Sequence, residues 1–465
     1  MGNDGFDNNN NGVEKENKMG VMPVGKLLAS MSFPAMVSML IQALYNVVDS
    51  FFVARISENA LSAVTLIFPI QILMISVSVG TGVGLSSLIA RRLGEKRFKE
   101  ADHAAAHGFL LALCSWIIFA LFGIFGTTSF VNLFSDDPEI SELAIRFCSI
   151  VSIGSLFLFF QINAEKTLQA TGNMLFPMIF NITGAVCNII LNPILIFGLF
   201  GAPKLGIAGS AISTVIAQFI GMSLGLFMLL RFKHAVHISF RGFRPRAKTI
   251  MDIYAVGLPS IIMQAVMSFT MSIMNFILIR LTPTAVAVLG VYFRIQSLIF
   301  MPVFGLNQGA LPIIGYNFGA RNKARVVETY RKAVFVALAV MAIGTLLFQL
   351  FPEEILRVFN ATPDMFRIGV RALHIISIGF VFAAFAIVSI TVFQALAHGV
   401  LTMVLSMMRQ IIFTLPLAWF LAEFFGVDYF WFCYPISEIL ATAILSYFVV
   451  RVYRREIRDL GDERL

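Results

Sequence analysis

The chain has 465 residues, of which 58% are hydrophobic and only 13% charged, with a mean hydropathy of +0.85 and a net charge of +8. Soluble domains carry about 25% charged residues, and no water-soluble fold hides this much apolar surface, so a bilayer is the solvent. The positive balance does not point to nucleic acid, because the basic residues sit in short blocks between apolar runs, where the positive-inside rule places them.

In chain order, residues 1–22 come first, polar and low in complexity, with the run Asn8 to Asn11. They are expected to remain an unfolded cytoplasmic tail. The next apolar run starts late and is too long for a cleavable leader, so it reads as a first helix. Apolar runs punctuated by Gly, Pro and charge then recur near 27–54, 60–90, 104–126, 140–163, 173–200, 206–230, 251–281, 285–315, 330–351, 368–395, 400–424 and 428–452. Each suffices for the about 20 residues that cross a hydrocarbon core. An even number of spans puts both termini on one side. Twenty-five of the 34 Lys and Arg residues fall on that side, counting Lys166, and five on the other. The termini are therefore expected in the cytoplasm and the protein in the plasma membrane. The four cysteines are isolated in apolar segments without metal-site spacing and read as small core residues.

A shift of 225 residues superposes Pro34 on Pro259, Arg55 on Arg280, Gly80 on Gly305, Gly84 on Gly309, Gly94 on Gly319, Pro138 on Pro363 and Gln169 on Gln394. Generic hydrophobic stretches do not hold one ungapped register that long, so the halves are duplicates. The expected architecture is an all-α membrane protein of twelve helices in two six-helix bundles, related by a pseudo-two-fold axis along the membrane normal. The lobes are expected over 23–232 and 251–453, with a cytoplasmic linker at 233–250 and a cytoplasmic tail at 454–465.

Function is sought where the halves differ. Ser38, Gln42, Tyr45, Asn46 and Asp49 share one face of the first span, a polar stripe inside a membrane. Their counterparts in the seventh span include Met263, Met267, Met271 and Met274, a soft apolar wall suited to varied ligands. With Gln42, Tyr45 and Asn46, these methionines are the candidate substrate cavity. The fifth span adds Asn181, Gly184, Asn188 and Asn192 on one stripe, and Asn192 precedes Pro193, whose missing N–H frees a carbonyl. Asn181 joins the cavity set. At about 1.5 Å per residue, Asp49 and Asn192 both lie roughly 8 to 12 Å from the outer ends of their helices. Ser213 and Thr214 on the sixth span sit at similar depth. An ionised carboxylate there costs several kcal/mol unless paired or protonated, so Asp49 is expected to take a proton or a metal cation. Arg294 and Glu438 lie at matching depth in the eighth and twelfth spans and are a candidate buried ion pair. Glu165, beside Lys166, reads as interfacial.

These features resemble the multidrug and toxic compound extrusion (MATE) family, and within it the bacterial MepA-like branch. Carrying the resemblance are Phe33-Pro34, YNVVDSFF from Tyr45 to Phe52, RRLGEK at 91–96, LQATG from Leu168 to Gly172, NIILNPILIFG at 188–198, YFRIQ at 292–296 and IGYNFGA at 314–320. Together with the repeat they span essentially everything after the tail. The resemblance implies a monomeric antiporter, not an enzyme, exporting cationic or aromatic drugs by alternating access in exchange for H⁺ or Na⁺, without another cofactor. It also implies a cation site of Asp49, Asn188, Asn192 and Thr214, with Na⁺ at Asp49, Asn188 and Asn192 as one option. This chain has Asn192 where many relatives have Asp, which leaves Asp49 as the site's main carboxylate. Two rivals are a lipid-linked sugar flippase, which calls for a strongly cationic cavity, and a prenyltransferase-type enzyme, which calls for clustered carboxylates. Asp136-Asp137, in an outer loop, lacks a second acidic cluster.

Overall fold

The computed structural model describes residues 17–239, 243–359 and 361–461, without the side chains of Asn46, Val47, Ser50, Ala54 and Glu58. Six helices form the first lobe: α1 Val24–Ala54, α2 Glu58–Gly94, α3 Phe98–Leu121, α4 Pro138–Ala170, α5 Leu175–Phe197 and α6 Ile207–Arg231. Four unbroken helices of the second follow the same plan: α7 Ala247–Leu281, α8 Pro283–Gly319, α9 Lys323–Leu350 and α12 Cys433–Val452. Between them, α10 is bent by 47° between Pro363–Ser377 and Phe380–Ala395. The eleventh, α11, runs Gly399–Met407, passes through a π-helical stretch at Met408–Thr414 and resumes as Leu415–Phe425. Among the described residues eleven helices are long and apolar enough to span a membrane, and there are twelve when the bent α10 is counted as one span.

Matched positions of the repeat now have physical roles. Ser57 and its mate Thr282 cap the N-termini of α2 and α8, their hydroxyls accepting from backbone N–H groups. Asp137 and Thr362 likewise cap α4 and α10, each followed by a proline at the first helical position, where no N–H is missed. The matched glycines mark where the lobes cross. A Cβ on Gly84 would collide with the Ile253 carbonyl of α7, and one on Gly309 with Ser32 of α1. Gly94 faces the Tyr316 carbonyl and Gly319 the Arg91 carbonyl, so α2 and α8 cross through reciprocal glycines. Without side chains the backbones approach closely enough for dispersion to hold them.

These crossings all lie in the half of the bundle nearest the chain termini, the terminal end. On the opposite halves of α1 and α7, Leu44, Phe51, Met267 and Phe276 stand exposed. Arg55 lies over Phe51 and its repeat mate Arg280 over Phe276, each 4.3 Å from the ring centroid. The lobes thus meet at the terminal end and leave a cleft toward the other.

Several expectations about the ends and loops change. Residues 1–16 of the expected tail, and 240–242 of the linker, lie outside the described residues, but Lys18–Val21 form a helical turn capped by Asn17. Met19 is fully buried there, and its carbonyl accepts from Asn317 Nδ2 at 3.0 Å and from an Arg325 guanidinium nitrogen at 2.9 Å. A polar composition hid one apolar anchor. At the other end α12 continues as a π turn, Tyr453–Ile457, into the expected tail, with Ile457 buried. Of the cysteines, Cys148 and Cys433 are buried and Cys114 is exposed, so the last is not a core residue.

Candidate cation site and inter-lobe cleft

Helices α1, α5 and α6 bring the predicted groups together in the half of the first lobe away from the terminal end. Asn192 Nδ2 donates to Asp49 Oδ1 at 2.6 Å, and the Ser210 hydroxyl donates to the same oxygen at 3.3 Å. Neither partner is a cation. Ser213 Oγ lies 3.1 Å from Asn192 Oδ1 and 2.8 Å from the Ser210 carbonyl, and its one hydrogen is shared between these two acceptors. Asn192, Ser210 and Ser213 are fully buried. One level away, Asn188 Nδ2 donates to Thr214 Oγ1 at 3.2 Å, while the Tyr45 hydroxyl lies 3.5 Å from the same oxygen. Thr214 therefore acts through Asn188 and Tyr45 rather than on Asp49 directly, and Tyr45 belongs to this network. Ser210 was missed by sequence reasoning. Its only signal is a spacing of three from Ser213, which any close-packed membrane helix also shows.

This donor set fits a proton as it stands, since Asp49 already has two neutral donors on one oxygen. It also holds oxygen atoms for Na⁺: the carboxylate, and Asn188 Oδ1, which is buried with no hydrogen-bond partner. Asn192 Oδ1 would join them only after the amide turned over and gave up Ser213. Pro193 lies within α5 immediately after Asn192, so one backbone carbonyl a turn earlier lacks its helical donor.

Of the cavity set, Gln42, Met267 and Met271 are exposed and Met263 half-buried, whereas the Asn46 side chain lies outside the described residues. Two members are corrected. Met274 is 1% exposed and belongs with Ile277, Leu278 and Leu289 to the second lobe's core; seven residues beyond the exposed Met267 it shares nearly the same helical face, so its height along α7 and not its rotation buries it. Asn181 points to the terminal end, accepting from Gln161 at 2.9 Å and donating to Glu165 at 3.0 Å. Glu165, its side chain 13% exposed, is thus held in a polar network at that end.

The predicted Arg294–Glu438 pair does not form. Arg294 is exposed, two residues and about 200° around α8 from the buried Tyr292. Glu438 instead takes Arg409, with Nη1 and Oε1 3.0 Å apart. Arg409 rises from the π-helical stretch of α11, and Glu438 packs against Gly379 at the bend of α10. Irregular backbone at membrane depth is tolerated where it is buried in protein or lines water. Glu438→Gln leaves a partly buried guanidinium, 21% exposed, without its counter-charge and should cost less than the about 3–5 kcal/mol of a fully buried pair, seen as a lower unfolding temperature in detergent. The Arg409→Met, Glu438→Leu double variant should recover most of that loss.

Two duplicated six-helix lobes flanking a cleft, with a carboxylate network in one lobe, describe a multi-pass membrane protein of the transporter class. The MatE family model matches residues 34–194 and again 259–420, one copy in each lobe. The chain belongs to the MATE family of multidrug exporters. It is 24% identical to the multidrug export protein MepA of Staphylococcus haemolyticus, over 93% of this chain and 94% of that one. It is 23% identical to an FAD transporter of Shewanella oneidensis, over 92% of this chain and 95% of that one. Among solved structures, an outward-facing multidrug resistance MATE transporter superposes with a TM-score of 0.89 at 25% identity, covering 96% of this chain and 99% of that one. A MATE structure in complex with MaL6 superposes equally well, with a TM-score of 0.89 at 25% identity.

Proposed function

We propose that this protein exports organic cations and aromatic drugs in exchange for H⁺ or Na⁺ bound at Asp49, by alternating access of the cleft. The observation that carries the reading is a half-buried carboxylate on the first spanning helix whose two hydrogen-bond donors are neutral, Asn192 and Ser210. A fixed charge with no fixed counter-charge is stable only with a mobile cation, and the resident cation would then change with conformational state. The methionines Met263, Met267 and Met271 supply a polarisable wall on the other side of the cleft. The basic bias of the terminal end supports cytoplasmic termini, so that the cleft opens outward from the plasma membrane. The protein would work as a monomer, each lobe completing the cavity of the other.

The FAD transporter relative raises an anionic cargo as a second reading. Such a cargo calls for cationic groups on the cleft: Lys166 and Arg409 are engaged by side chains of this chain, so Arg55 and Arg280, which lie over Phe51 and Phe276 at the far ends of α1 and α7, are the cations an anion would meet. Purified protein in liposomes decides between these readings. An imposed proton or sodium gradient should drive uptake of a fluorescent monocation, and only one of the two ions should do so. If neither gradient moves the cation while a flavin dinucleotide is carried, the cationic-cargo reading fails.

A further inference from the structure

The terminal end holds a second buried polar network that the Asp49 site does not use. It is built on the last turns of α4. Glu165 accepts from Asn181 Nδ2 at 3.0 Å and from Gln169 Nε2 at 2.8 Å, and Lys166 Nζ lies 3.3 Å from it. The side chains of Glu165 and Lys166 are only 13% and 6% exposed. Lys166, counted by sequence as a loop cation, has room in the helix packing because Gly82 of α2 has no side chain: a Cβ there would stand 2.6 Å from Lys166 Cγ.

What makes this network more than local is Gln308, on α8 of the other lobe. Its Oε1 accepts from Lys166 Nζ at 3.1 Å and from Gln169 Nε2 at 3.0 Å. Nearby, Gln308 Nε2 also donates to Met39 Sδ of α1 at 3.3 Å, and the Ser32 and Ser87 hydroxyls donate to the Leu306 and Gln394 carbonyls. Arg92 of α2 stands 3.7 Å from Asp252 of α7 as another charged contact between the lobes, but those side chains are 19% and 36% exposed, whereas Lys166 is 6% exposed.

We propose that Lys166 and Gln308 are positioning residues of the transport cycle, a cross-lobe latch that holds the terminal end shut. The strength of the latch suits a step that must reverse. A charged donor on a neutral amide is worth more than an ordinary hydrogen bond, but when the lobes part Lys166 keeps Glu165 and Gln169, so no ammonium is stranded. A carboxylate in place of Gln308 would hold too tightly. The latch also shares a helix with the cation site. Asn181, which holds Glu165, and Asn188 and Asn192, which serve the Thr214 and Asp49 ends of that site, lie on one face of α5. Displacement of α5 when Asp49 changes its cation is then felt at Glu165. The inference deepens the alternating-access reading, and its test does not depend on which solute or ion is carried.

The test uses spin-label pairs across the terminal end of the full chain in nanodiscs, reading the ratio of closed to open distances. Gln308→Leu should shift that ratio toward open by about tenfold, the worth of one hydrogen bond to a charged group. Gln308→Glu should shift it toward closed, and this locking should vanish when Lys166 is replaced by Met. Elution as a monodisperse peak shows that each variant folds. The latch is refuted by unchanged distances in both Gln308 variants, or by locking that survives Lys166→Met. Loss of transport with unchanged distances counts against it too, whereas shifted distances without any cation coupling uphold the latch and overturn only the functional reading.

Discussion

Asp49→Asn should abolish ion-driven drug efflux while leaving the protein in the membrane at normal abundance. The substitution keeps the shape of the side chain and its place between α1, α5 and α6 but removes the charge that calls for a cation. Asn192 and Ser210 both donate to Asp49 Oδ1, and bonds to a charged acceptor are each worth about 1.5–3 kcal/mol. An amide oxygen accepts the same two donors more weakly, so the helices stay together while the site loses its ligand. Resistance of a hypersusceptible host to a cationic dye, with protein quantified in its membranes, is the measurement. Efflux within a factor of about two of the parent at equal abundance would remove Asp49 from the mechanism; that margin is smaller than the effect of losing a single charged bond. Asp49→Glu retains the charge and should retain a fraction of the activity.

Replacing Gly84 by Ala should impair transport nearly as severely, for a mechanical reason. A Cβ at that position has no room against the Ile253 carbonyl on α7, and main chain cannot swing aside as a side chain can. Overpacking of this kind costs typically 1–3 kcal/mol, all of it charged to the state in which the lobes meet at the terminal end. The closed population should fall by roughly tenfold or more, and drug efflux with it, while labelling of an engineered cysteine on the terminal half of α7 should accelerate. Gly290→Ala on α8 is the matched control, because no heavy atom lies within 4 Å of its Cβ position. Equal labelling rates in the Gly84 and Gly290 variants would show that the crossing does not set the closed state.

Hydropathy and the 225-residue register were enough to lay out twelve spans and two lobes, because membrane helices must be long, apolar and self-satisfied in their backbone bonds. The same register picked out Gly84 and Gly309 without saying why. Only the facing helix, with its carbonyl in the way, supplies the reason. Asp49, Asn192 and Ser213 could be matched by depth, since rise per residue is fixed. What depth leaves open is rotation. Arg294 and Arg409 are both arginines inside spans of the second lobe, and choosing the partner of Glu438 required knowing that α11 is π-helical there and that Arg294 faces away. Asn181 is on the same stripe as Asn188 and Asn192, yet two turns along it serves a different network. The bend of α10 has no mark in sequence as strong as its straight repeat mate α4 would suggest, for the break falls at Ile378-Gly379 and Gly154 occupies the matching place in an unbroken helix.

By sequence α1 belongs wholly to the first repeat, but its packing is divided. Leu27, Leu28 and Met31 lie in the apolar core built by the second lobe, and Ser32 bonds to the Leu306 carbonyl of α8. Its far end holds Asp49 against α5 and α6. Between the two stands Pro34, inside the helix and without an N–H to give. The frontier between the two moving bodies therefore does not run through the linker that joins the repeats. It cuts across a single helix, and in the alternating-access cycle proposed above each swing of the lobes would be taken up as flexure of α1 within a few turns of Asp49.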